Sequence, residues 1–184
     1  MLLFNGSLHN HEDSFYSMVH KHVQEQCEEN GLSVKHVDLS GKKLPIFDPY
    51  DQTATDEVNQ ILEAFTAEDL QIWMSPLYHG SIPGVMKNAL DWLQLTSKDT
   101  PSYLTDKKIG LICISDGTFG IQGINTMISI AHTLRAWVLP YSIPINKLEA
   151  RMRDPNHLPA DYQNKINLMV QLMKEEDQKL SQQQ

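Results

Sequence analysis

The sequence predicts a three-layer α/β sandwich, with a five-stranded parallel sheet in the order 2-1-3-4-5 between two layers of helices. Three observations carry this. Apolar runs of strand length alternate with stretches of helical periodicity along the 184 residues. Two of those runs, DLQIWMS and KKIGLICIS, are apolar on both sides, as strands covered on two faces must be. Such alternation builds a parallel sheet with crossover helices on both faces, and five strands in this length favour that order.

Each element has its own warrant. MLLFN reads as the first strand. From Ser14 to Glu29, the residues Phe15, Met18, Val19, Val23 and Cys27 share one helical face, and Gly31 supplies a stop. LSVKHVDL is the second strand, and GKKLPIFDPYDQTATD is a polar, proline-bearing loop. Val58, Ile61, Leu62 and Phe65 mark the next helix. DLQIWMS is the third strand, and Ile82, Val85, Met86, Ala89, Leu90 and Leu93 then mark a helix that Ser81 can cap, with Pro83 near its first turn. KKIGLICIS is the fourth strand. Ile124, Ile128 and Ala131 align on a helix over 121–135, AWVLP is the fifth strand, and Tyr162, Ile166, Met169, Val170 and Met173 stripe a last helix. The terminal SQQQ is expected to fray. No repeat or linker interrupts the chain, so residues 1–184 read as one domain.

Composition narrows the function. A net charge of −8 excludes general attraction to nucleic acid or to an anionic membrane. It also requires any anionic ligand to be held by local donors. The two cysteines, Cys27 and Cys113, fall on a helix face and in an apolar strand, and read as reduced core residues of a cytoplasmic protein. The opening MLLFNGSLHN is too short an apolar run for a signal peptide, and no later run is long enough to span a membrane.

In this strand order, ligands bind outside the carboxyl ends of the strands, at the switch between strands 1 and 3. Three loops converge there: Asn5-Gly6-Ser7-Leu8-His9, Ser75-Pro76-Leu77-Tyr78-His79-Gly80 and Ser115-Asp116-Gly117-Thr118-Phe119-Gly120. The first runs into a helix whose N-cap is Ser14, where free N–H groups favour a phosphate. An ordinary strand–helix turn has the same composition, and neither a Walker loop nor a dinucleotide GxGxxG is present. In the second loop, Pro76 and Gly80 around Tyr78 predict a rigid backbone whose amides can face a planar ring. The third adds further amides, with Phe119 as a lid.

The stretch SPLYHGSIPGVMKNALDWL resembles the loop–helix signature of the NAD(P)H-dependent FMN reductase family, which includes azo-, quinone- and chromate-reducing flavoenzymes of flavodoxin-like fold. The run Gly80–Leu93 matches that signature except for Met86 in place of Leu. GSLHNHEDSF resembles the family's phosphate loop, and SDGTFGIQGINTM its fourth-strand loop. The resemblance implies that Ser7, His9 and Ser14 hold the FMN phosphate. It implies that Pro76, Leu77, Tyr78, His79 and Gly80 line the isoalloxazine, and that Ser115, Gly117 and Thr118 close its other side. It further implies hydride transfer from NAD(P)H to the flavin and on to a quinone, azo compound, free flavin or similar acceptor. A homodimer or homotetramer through the helices after strands 3 and 4 is implied as well.

This chain departs from the pattern. His9 stands where the family has Arg, the gap to Ser14 is longer, Leu77 replaces Glu, and Asp116 adds a negative charge. If His9 must be protonated to help, FMN affinity falls as pH rises through about 6.5; constant affinity from about pH 5.5 to 8 removes that idea. No side-chain acid or base is required for the chemistry, so no catalytic residue is assigned. Two rival readings are a flavodoxin-type electron carrier and a non-catalytic relative with weakened flavin binding. A metal reading of His9, His11, Glu12 and Asp13 is weaker than exposed histidines, and His20 and His22 do not share a helix face.

Overall fold

The computed structural model describes residues 1–8, 11 and 14–182. Along the chain run β1 (Leu2–Asn5), α1 (Phe15–Glu29), β2 (Lys35–Asp38), α2 (Asp56–Ala67), β3 (Leu70–Pro76), α3 (Gly84–Asp91), a 3-10 segment (Trp92–Lys98), β4 (Lys108–Ser115), α4 (Gly120–Thr133), β5 (Trp137–Asn146), α5 (Lys147–Arg153) and α6 (Ala160–Ser181). The five strands form a parallel sheet in the order β2-β1-β3-β4-β5, the flavodoxin-like arrangement expected.

Strand alternation sorts the core into two layers. Leu2, Phe4, Trp73, Ile109, Leu111 and Cys113 face α2, α3 and α4, packing on Phe65, Met86, Leu90, Ile124 and Met127. Leu3, Ile72, Met74, Ile112 and Ile114 face α1 and α6, packing on Phe15, Val19, Val23, Ile166, Met169 and Met173. Every residue of β1, and every residue of β3 before Pro76, is buried, so the central strands are covered on both faces. Within this dry interior, Gln71 is fully paired. Its Nε2 donates to the Phe65 carbonyl at 2.8 Å, and its Oε1 accepts from Trp73 Nε1 at 2.9 Å.

Local signals set the helix ends that matter. Ser14 caps α1, its Oγ accepting from the Ser17 amide at 3.0 Å. Gly31, at φ +79°, ends α1: its amide donates to the Glu28 carbonyl and the Leu32 amide to the Cys27 carbonyl, both at 2.9 Å. That is a Schellman closure, and it needs the left-handed residue that glycine supplies.

Two expectations are corrected. Ser81 does not cap α3. Its backbone is tied to Tyr78, and Pro83 takes the cap position with no side-chain bond. The fifth strand does not end at Pro140 but runs on to Asn146, and a short helix, α5, follows directly. The two prolines hid the extension, because β5 is an edge strand and tolerates missing N–H donors there. Its register against β4 slips between Ile109 and Leu111, so that Lys108 pairs with Trp137 and Leu111 with Ser142. At the C-terminus, α6 holds Ser181 and Gln182 closes it, while Gln183 and Gln184 lie outside the described residues.

Candidate active site

The carboxyl ends of the strands carry the chemistry-bearing loops. The second loop is the most constrained. Tyr78 and Ser81 exchange two backbone hydrogen bonds, of 2.9 and 3.0 Å, across His79 and Gly80. Both central residues have positive φ, +48° and +82°. Positive φ at both positions is the signature of a type I′ turn, which fixes the backbone tightly and explains the glycine. Upstream, the Leu77 amide donates to the Ile114 carbonyl at 2.9 Å, fastening the loop to β4. Gly123 of α4 lies against the same place: a Cβ there would stand 2.4 Å from Cys113 Sγ and 3.1 Å from Leu77 Cδ1. The absent side chain lets α4 press β4 and Leu77 into position.

A cleft of about 260 Å3 opens between these loops, lined by Ser14, Phe15 and Tyr16 of the α1 start, Pro76, Leu77 and Tyr78, Ile114 and Asp116, and Lys147. Of the residues expected at the site, Ser14, Pro76, Leu77 and Tyr78 therefore lie on the cleft wall. Ser7 is fully buried in the first loop, its amide donating to Asn5 Oδ1 at 2.9 Å. Ser115 is buried too, and its hydroxyl donates to the Gly117 carbonyl at 2.5 Å, so it shapes the third loop from within. His79 and Gly80 form the tip of the turn, and Gly117 and Thr118 follow Asp116 in the third loop; none of these four lines the cleft. The amides of His79, Gly80, Gly117 and Thr118 donate to no backbone carbonyl among the described residues. His9 lies outside the described residues. His11 is described, and it serves through its backbone: its carbonyl accepts from the Ser14 amide at 2.9 Å and from Ser17 Oγ at 2.8 Å.

Sequence reasoning missed Tyr16 and Lys147. Lys147 was hidden with the second half of β5. Once the strand runs to Asn146, its next residue reaches the same rim, where the Lys147 ammonium pairs with the Asp116 carboxylate. Tyr16 fell off the apolar stripe assigned to α1, yet it is buried at 7% exposure. Its hydroxyl is buried with no hydrogen-bond partner among the described residues. Leaving such a group unpaired costs about 1–3 kcal/mol. Burial above all, and then the proximity of Asp38, Cys113 and Tyr78, hold its pKa well above the usual tyrosine value. The phenol is therefore a hydrogen-bond donor over the ordinary pH range.

Among the described residues, other candidate chemistry does not assemble; His9, Glu12 and Asp13 of the metal reading lie outside them. His20 lies beside His36, with ring centroids 5.5 Å apart and the rings tilted by 42°, whereas His22 meets Asn167 Oδ1 at 3.1 Å. Among the described residues, no group of three histidine, cysteine or acidic side chains is placed to hold a metal ion. Cys27 and Cys113 are buried free thiols whose pKa values burial pushes up to about 12. They are inert packing groups. A larger cavity, about 430 Å3, lies between the start of β5 and α6, lined by Trp137, Pro140 and Leu172 among others. It sits at the amino end of β5 and gathers none of the three loops.

Comparisons with known proteins place the chain in a family. Residues 1–149 match the family model described as NADPH-dependent FMN reductase. The NADPH-dependent FMN reductase ArsH of Rhizobium meliloti is 25% identical over 95% of this chain and 70% of its own. An FMN-dependent NADPH-azoreductase of Staphylococcus aureus is 29% identical over 71% of this chain and 69% of its own. Among solved structures, the flavoenzyme NAD(P)H:(acceptor) oxidoreductase of Paracoccus denitrificans superposes with a TM-score of 0.73 at 19% identity, covering 95% of this chain and 94% of that one. With the matched segment spanning all three loops and the strands that present them, the chain belongs to the NADPH-dependent FMN reductase family.

Proposed function

We propose that the chain is an FMN-dependent NAD(P)H oxidoreductase whose flavin occupies the cleft at the ends of β1, β3 and β4, and whose acceptor is a small molecule such as a quinone, azo compound or free flavin. The observation that carries this reading is the preset loop set. A type I′ turn at Tyr78–Ser81, and amides of that turn and of the third loop that donate to no backbone carbonyl among the described residues, offer fixed donors and a flat backbone surface. The orphaned Tyr16 hydroxyl further fits a site completed by a polar ligand.

When bound, FMN supplies the redox chemistry, accepting a hydride from the nicotinamide and passing electrons to the second substrate. The protein's part is geometry and electrostatics. Ser7, His9, Ser14 and the first-turn amides of α1 would hold the phosphate, and the helix start favours the anion. Pro76, Leu77, Tyr78, His79 and Gly80 would carry the ring from one side; Ser115, Gly117 and Thr118 would close the other. Tyr78 and Phe119, 46% and 62% exposed, would flank the face that the nicotinamide and the acceptor visit in turn.

An absorbance spectrum with FMN, followed by anaerobic NADPH, tests the reading. Rapid bleaching of the bound flavin is the expected result. Bound flavin that NADPH does not reduce instead identifies an electron carrier, and failure to quench FMN fluorescence identifies a non-catalytic relative. No described helix is long and apolar enough to cross a membrane, and we place the chain, as a single domain, in the cytoplasm. Exposed Phe119 and Ile121 at the start of α4 suit a homodimer or homotetramer built on α3 and α4. A purely monomeric sedimentation profile at micromolar concentration counts against that assembly.

A further inference from the structure

We infer that the Tyr16 hydroxyl is a cofactor-binding donor held in reserve for the flavin mononucleotide. This rests on the reductase reading and deepens it. Three features converge. Tyr16 lines the cleft between Ser14 and the Pro76–Tyr78 wall. Its hydroxyl is buried and has no partner among the described residues, so the folded chain has removed it from water without giving it an acceptor. Asp38 of β2, Cys113 of β4 and Tyr78 of the second loop act on it electrostatically, so the hydroxyl belongs to the end of the sheet whose loops form the cleft it lines. Together with burial they keep it protonated, which suits donation to an oxygen or ring nitrogen of FMN.

A donor of this kind has an unusual signature. Without ligand it destabilises the fold, and with ligand it contributes affinity. Flavin-free full-length protein and its Tyr16→Phe variant are compared by thermal melting and by fluorescence titration with FMN. The variant is expected to melt at the same temperature as wild type or higher, because the orphaned group is gone. Its FMN dissociation constant is expected to rise about five- to tenfold. A dissociation constant within about twofold of wild type, or a flavin-free variant that melts lower than wild type, overturns the inference. The second result would show that the hydroxyl serves the fold. Wild-type protein that fails to bind FMN overturns the reductase reading along with this one. Wild-type protein that binds FMN beside an indifferent Tyr16→Phe overturns this one alone.

Discussion

Gly123 leaves no room for a methyl group. The 2.4 Å that would separate its Cβ from Cys113 Sγ is far inside van der Waals contact, and the sulfur belongs to a central strand that cannot retreat. Gly123→Ala is expected to destabilise by about 1–3 kcal/mol, lowering the melting temperature by roughly 3–10 °C. Adding Cys113→Ala removes the opposing sulfur and should restore part of the loss, which a double-mutant cycle by thermal melting would read directly. Equal losses in the single and double variants would show that the clash lies elsewhere. Residues of this kind are not legible in a sequence. The glycine is visible, but the sulfur it must avoid is brought to it only by the packing of α4 on β4.

The turn between β3 and α3 shows the opposite case. Proline at 76 and glycine at 80 announced a rigid loop, and the type I′ geometry delivers it. Gly80→Ala forces an L-residue to a φ of +82°, at a cost of about 1–2 kcal/mol. Gly31 has a φ of +79° with open space around it, so Gly31→Ala carries the same backbone strain far from the cleft. Both variants should lose similar stability, and only Gly80→Ala should also weaken FMN binding; equal FMN affinities by fluorescence titration would detach the turn from the site. Element identities were readable wherever periodicity was strong, as in α1, β3, β4 and α6. They failed where a local rule had a tertiary exemption. Proline ends most strands but not an edge strand, so β5 was cut short, and with it went α5 and Lys147. Ser81 has the right chemistry for a cap, but its backbone is claimed by the turn.

For the chain as a unit, the layered order of the sheet was legible because burial on both faces leaves an unmistakable apolar signature. Its response to acid was not, because that depends on what lies beside each histidine. His20 is half-buried against His36, with Asp38 near. Burial first, then His36, lowers its pKa from the usual 6.5, while Asp38 opposes the shift. A histidine with a depressed folded pKa takes up protons more readily when unfolded. Its contribution is therefore fully present above about pH 6.5 and is lost as pH falls from there through the folded value. His20→Gln should accordingly flatten the fall in melting temperature between about pH 7 and 5. An unchanged profile would place the acid-sensitive group elsewhere.

The outer flank of the sheet has a bearing on colloidal behaviour. β5 is ten residues long and open on one side, a form that invites neighbouring chains to zip on through their main-chain groups. Pro140 and Pro144 withhold donors along that border, and the slipped register beside Ile109 bends it out of line. An approaching strand thus meets an interrupted template, so the longest unpaired border of this protein is poorly suited to nucleating intermolecular sheet even in concentrated solution.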